Sequence, residues 1–164
     1  MEEQAGANQY LTFELDGEIF ALEIAKVREV LDFTTVTRVP KMPAFMRGVI
    51  NLRGSVVPVV DMRLKFGLPP ADRTVNTCII IVEIEMDGEM VALGALADSV
   101  KEVVELEAAE IEPAPRIGAR LGTEFIRGMG KREEGFLILL DINRVFSNEE
   151  LAAVQLADEC PAKG

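Results

Sequence analysis

The chain has 164 residues, 49% of them apolar, and a net charge of −11. That acidic balance argues against a nucleic-acid partner, which needs a basic face, and the lack of histidine removes the commonest general base and metal ligand. No apolar run approaches the roughly 20 residues that span a bilayer, and the acidic start, Met1-Glu2-Glu3-Gln4, is unlike a secretory leader.

Taken in chain order, residues 1–8 are expected to be disordered. Leu11, Phe13 and Leu15 then alternate with Tyr10, Thr12 and Glu14, which predicts a strand with one dry face. Asp16-Gly17 joins it to a second apolar run, the strongest short-range hairpin signal because both turn positions favour positive φ. In Val27-Arg28-Glu29-Val30 the alternation is read with Val30 turned to the core and Val27 outside with Glu29. Arg53-Gly54 supplies another tight turn. Pro58, inside an apolar run, predicts an edge strand or a bulge because it cannot donate to a ladder. Asp61 can cap a helical turn that Gly67 ends. Residues 67–76, rich in turn formers, mark a boundary between lobes.

Beyond it the order repeats. Asp87-Gly88-Glu89 answers Asp16-Gly17-Glu18, and Val100-Lys101-Glu102-Val103 answers Val27-Arg28-Glu29-Val30. Arg47, Gly48, Asp61 and Phe66 recur as Arg127, Gly128, Asp141 and Phe146. A short helical turn and Pro113-Ala114-Pro115 lie between these matches. Ser147-Asn148-Glu149-Glu150 is a capping box that opens a helix expected over 147–158, before a tail at 159–164. The expectation is an all-β chain of two related lobes, about 9–70 and 76–146, each a small sheet closed into a barrel so that no long edge stays exposed. The recurrent Gly48 and Gly128 suggest a close backbone approach in both.

The chemistry is sparse. Cys78 and Cys160 lie far apart, without metal spacing, and are read as a buried small hydrophobe and an exposed thiol in a reducing compartment. Ser55 and Ser99 have no base near them in sequence. Asp61 and Asp141 stand at equivalent positions, which makes them caps rather than an acid–base pair. Arg53, on a hairpin tip in Asn51-Leu52-Arg53-Gly54, reads equally as turn chemistry or as an interface anchor. Charge is uneven. Residues 38–73 hold seven basic and two acidic side chains, and residues 83–112 hold ten acidic and one basic. Both wet surfaces and two faces of opposite sign fit this pattern.

The run Met46-Arg47-Gly48-Val49-Ile50-Asn51-Leu52-Arg53-Gly54, followed by Val57-Pro58-Val59-Val60-Asp61, resembles the most recognisable block of the CheW family, the coupling proteins of bacterial chemotaxis. Pro43-Ala44-Phe45, Phe66, Asp98-Ser99-Val100-Lys101-Glu102-Val103 and Pro113-Ala114-Pro115 fit it too, so the resemblance covers about residues 9–156. It implies two pseudo-symmetric five-stranded, SH3-like β-barrels with a C-terminal helix. It also implies a non-enzymatic cytoplasmic adaptor, without cofactor or metal, monomeric in isolation. Such an adaptor joins chemoreceptor cytoplasmic tips to the regulatory domain of the histidine kinase CheA in ring-forming arrays at the inner membrane. The family's receptor contacts fall on Val27, Glu29, Gly48, Asn51, Arg53 and Val103 here, in a groove between barrels, and its kinase contacts involve the barrel ends. The hairpin over 83–90 is longer than the family's usual pattern. A CheW-like domain of a longer chemotaxis protein is the second reading, and the terminal helix and short tail favour a complete chain. An enzyme or small-ligand barrel is the third, disfavoured by the missing histidine and cofactor motifs.

Overall fold

Alternating apolar and polar residues, punctuated by positive-φ turns, fold into strands almost throughout. The computed structural model describes residues 8–41, 43–69, 71–86, 88–113, 126–132 and 135–145. In chain order these form β1 (Asn8–Leu15), β2 (Glu18–Glu23), β3 (Val27–Asp32), β4 (Met46–Leu52), β5 (Ser55–Asp61), α1 (Met62–Lys65) and β6 (Cys78–Met86). Next come β7 (Glu89–Ala97), β8 (Ser99–Leu106), β9 (Ile111–Glu112), β10 (Ile126–Arg132), β11 (Gly135–Leu140) and α2 (Ile142–Val145). Single 3₁₀ turns at Ile24–Lys26 and Ala108–Glu110 precede β3 and β9. The expected helix over 147–158, the tail, and residues 1–7 lie outside the described residues.

One sheet has the order β8-β1-β2-β11-β10-β9 and the other β3-β6-β7-β5-β4. Each curls until its ends meet through the chain. In the second sheet, Thr37 exchanges two 2.8 Å backbone hydrogen bonds with Val49 of β4. In the first, β8 turns through Ala108–Glu110 into the two-residue β9, which pairs with β10. The Thr37 bridge and β9 occupy equivalent places, so the two rings share one design.

The sheets cut across the expected lobe boundary. The β1–β2 hairpin of the first repeat completes the ring of β8, β10 and β11, and the β6–β7 hairpin of the second completes the ring of β3, β4 and β5. The repeats have exchanged hairpins. This places three cores among the described residues. Tyr10, Ala21, Val104, Leu106, Leu137 and Leu139 fill one ring, and Ile50, Val57, Val59, Ile79, Ile81 and Leu96 fill the other. The largest lies between the rings, where Phe13, Leu15 and Leu22 meet Met62, Ile80, Val82 and Leu93. Strand β6 feeds Ile79 and Ile81 into one core and Ile80, Val82 and Ile84 into another, which is why its run is unbroken rather than alternating.

Local features follow the sequence closely. Asp16 and Gly17 (φ 53° and 83°) and Arg53 and Gly54 (51° and 88°) form type I′ turns. Asp61 accepts from the amides of Arg63 and Leu64 and so caps α1, and Asp141 accepts from Asn143 N in the equivalent place. Gly48 and Gly128 each follow a register shift, at Arg47 and Arg127, where the ring-closing segment crosses. A Cβ would stand 2.1 Å from Thr37 O at Gly48 and 2.9 Å from Glu112 O at Gly128.

Two expectations are corrected. Strand β5 is interior, not an edge, and carries Pro58 one residue before its parallel ladder with β7 begins at Val59, so the missing donor is not needed. Val27, Glu29 and Leu31 form the half-buried face of β3, with Val27 leaning on the inter-ring core, and Val30 stands on the outer face, 40% exposed.

A further bulge lies opposite Thr12 on β1. Thr12, 2% exposed, donates through Oγ1 to Glu102 O at 2.7 Å and accepts from Glu102 N at 3.0 Å. Its hydroxyl replaces the missing ladder partner. Thr12→Val is expected to remove both bonds to the Glu102 backbone and to lower stability by about 1–3 kcal/mol in urea denaturation. A wild-type midpoint would show that the bulge does not depend on the hydroxyl.

Candidate functional site

Arg53 and Glu29 come from different strands, and the fold brings them together. Arg53 stands on the type I′ tip between β4 and β5, whose backbone leaves little freedom for the side chain's origin. Asn51 Oδ1 accepts from Gly54 N at 2.9 Å, so the Asn51 amide oxygen braces the turn. The Arg53 guanidinium, with 66% of its side chain exposed, forms an ion pair with Glu29 on β3. Strands β3 and β4 are the two end strands of their ring, so this pair bridges the seam. Beside it Arg28 pairs with Glu83 at 3.5 Å.

The other predicted positions are scattered. Val27 is half-buried against the inter-ring core. Gly48 is buried beneath Thr37 and closes the ring, so it presents no surface of its own. Val103 is 48% exposed but belongs to β8 of the other ring, where it pairs with Leu11. The space between the rings, expected to be an open dry groove, is packed with buried side chains such as Phe13, Leu15, Ile80 and Leu93.

Two cavities lie at the hairpin-tip ends of the rings. One, of about 460 Å³, is lined by Leu52, Arg53, Val56 and Met90 with Arg28 at its side. The other, of about 470 Å³, is lined by Ile19, Lys101, Phe136 and Leu137. Val56 and Met90 at the first cavity and Phe136 at the second are 41%, 58% and 54% exposed. Val56 and Phe136 are repeat equivalents, each the second residue of its strand. That spacing in the sequence could have marked them, but apolar residues in strands read first as core. Met90 stands on the longer hairpin. Gly94 of β7 and Ala21 of β2 hold equivalent ladder positions, and Gly94 is six residues past the turn glycine where Ala21 is four. The β6–β7 ribbon therefore reaches about 7 Å farther.

The charge asymmetry is partly cancelled by pairing: Arg47 with Asp61 at 3.1 Å, Arg63 with Asp98 at 2.7 Å, Lys101 with Glu14 at 3.2 Å, and Arg53 with Glu29. Burial pushes the Cys78 thiol up, which suits a packing residue rather than a nucleophile. Among the described residues no group of three His, Cys, Asp or Glu side chains could hold a metal ion, and no helix is long and apolar enough to cross a membrane.

Residues 9–150 match the CheW-like domain family. The chain is 38% identical over 146 residues to a chemotaxis protein CheW of Klebsiella aerogenes, covering 89% of this chain and 86% of that one. It is 32% identical over 140 residues to the chemotaxis protein CheW of Bacillus subtilis, covering 85% and 86%. Its fold is similar to the crystal structure of the scaffolding protein TtCheW of Thermoanaerobacter tengcongensis, with a TM-score of 0.78, 31% identity, and coverage of 88% of this chain and 95% of that one.

Proposed function

The chain belongs to the CheW-like domain family and serves as a coupling adaptor in chemotaxis, and from that premise we propose that it holds a chemoreceptor's cytoplasmic tip on the Arg53–Glu29 seam and the regulatory domain of the kinase CheA at a ring end. It does so as a scaffold, without turning over a substrate. The carrying observation is the Arg53–Glu29 pair: a charged fork on a rigid hairpin, mostly exposed, beside the half-buried Val27. A receptor helix offering carboxylates and apolar side chains at helical spacing suits such a surface. The exposed Val56 and Phe136 give the ring ends the apolar centre that a protein interface needs. Holding both partners at once turns two weak contacts into one stable assembly at the receptor array.

Arg53→Ala is expected to melt like the wild type, because the side chain is exposed and the turn is held by backbone conformation. Its affinity for a receptor-tip fragment is expected to fall at least about tenfold, the loss of an interface arginine. Calorimetric titration against the fragment, with a thermal melt alongside, measures both. Wild-type affinity in a folded variant would remove Arg53 from the site.

A further inference from the structure

The receptor contacts that the family resemblance implies draw on both rings, Glu29 and Arg53 on one and Val103 on the other. They form one surface only while the rings keep a fixed angle. The inter-ring core favours burial but is non-directional. A directional link between the rings exists at Arg63.

Among the described residues the chain passes between the rings at two places. From β2 to β3 it passes through Ile24–Lys26, and from β7 to β8 it passes through Asp98. Arg63, on α1 and with only 14% of its side chain exposed, grips the second crossing. Its Nε donates to Asp98 Oδ1 at 3.0 Å and a terminal nitrogen donates to Oδ2 at 2.7 Å, a two-pronged bond. Its other terminal nitrogen donates to Pro69 O at 2.6 Å and lies 3.5 Å from Asp16 Oδ1 at the β1–β2 tip. Asp98 in turn accepts from Asp16 N at 2.8 Å. One guanidinium thus ties α1, the inter-repeat segment, the crossing point and the tip of the exchanged hairpin.

The first crossing has no counterpart among the described residues. Asn143 takes the repeat position of Arg63, and its buried Oδ1 has no partner among the described residues. The ion pair beside that crossing, Arg127 with Glu23 at 2.5 Å, joins two strands of the same ring. Burial alone would push the Asp98 carboxyl up. The Arg63 guanidinium and the Asp16 amide outweigh burial and hold it below its ordinary value.

We propose that Arg63 is a positioning residue for partner binding: by clamping Asp98 and Asp16 it sets the angle between the rings, and so aligns Glu29 and Arg53 with Val103, without touching the partner itself. This rests on the adaptor reading above. Geometry favours a two-pronged bond as the angle-setting element, since it fixes direction as well as distance.

The test uses the full chain and two readouts that loss of stability alone would not move below the melting transition. Residual dipolar couplings of amides in β4–β5 and β10–β11 report the relative orientation of the rings, and calorimetry reports affinity for a receptor-tip fragment. Arg63→Met keeps the aliphatic stem. It is expected to fold, to keep the couplings within each ring, to need a changed angle between them, and to bind at least about fivefold more weakly. Arg63→Lys is expected to recover only part, because an ammonium cannot make the two-pronged bond. A folded Arg63→Met with the wild-type angle, or with wild-type affinity, overturns the proposal. Should that variant not fold, Asp98→Asn is judged by the same two results. A wild-type protein that ignores the fragment would instead sink the adaptor reading, while the couplings still decide whether Arg63 sets the angle.

Discussion

Gly48→Ala is expected to cost more than about 3 kcal/mol, a large share of the roughly 5–15 kcal/mol that holds such a domain folded. Two effects add. The residue holds φ 141°, a region that an L side chain rarely adopts, at a cost of order 1–3 kcal/mol. The new methyl would also stand 2.1 Å from Thr37 O and 2.7 Å from Thr37 C, both backbone atoms that cannot swing aside. Relief requires opening the Thr37–Val49 bridge, which is the ring's closure. Gly128→Ala is the internal control. It occupies the equivalent place, but its nearest backbone atom, Glu112 O, is 2.9 Å away, and its φ is not among the positive ones. It should be destabilised by clearly less. Urea denaturation of both variants checks the order, and a Gly48→Ala midpoint equal to wild type would sink the closure argument. Loss of partner binding in any Gly48 variant then reports ring closure, not a lost contact.

Features set by a few neighbouring residues were legible in the sequence. Asp16-Gly17 and Arg53-Gly54 each specify a turn by conformational preference alone, and Asp61 caps α1 with its own side chain. The repeat showed that Gly48 and Gly128 do the same work. The hairpin exchange was not legible, for a physical reason. The β1–β2 and β6–β7 hairpins carry the same Asp-Gly-Glu sequence between apolar runs, which does not say which ring each completes. The pairing is decided by packing, such as the stack of Phe13 on Phe20 and Phe20 on Phe66, each with ring centroids 5.9 Å apart, which joins the exchanged hairpin to the segment after α1. In β3 the alternation of Val27, Glu29 and Leu31 with Arg28, Val30 and Asp32 is legible but not which face turns inward, because apolar residues stand on both faces. Arg53 and Glu29 were each visible, but not their pairing, which crosses a ring seam and leaves no periodic trace. The filled inter-ring space was hidden for the same reason: it depends on which strands face each other, not on any one strand's composition.

Because the hairpins are exchanged, neither ring can lose its fold alone, and Phe13→Ala provides the sharpest check. Phe13 is fully buried on β1, a strand of the first ring, and faces the core between the rings. Its removal is expected to cost about 3–5 kcal/mol. Independent lobes would confine that loss to the ring that contains β1. Here β1–β2 belongs by sequence to the repeat that also supplies β3, β4 and β5, and it packs on Ile80 and Leu93 of the opposite hairpin. Slow amide exchange should therefore fall by the same free energy at Leu139, in the ring with β1, and at Ile79, in the other. Ile79 and Leu139 are buried in cores that Phe13 does not line, so equal losses at both require one cooperative unit rather than local loosening. Protection that fell at Leu139 and held at Ile79 would show two rings that unfold separately, and the exchange of hairpins would then not bind the repeats into a single folding unit.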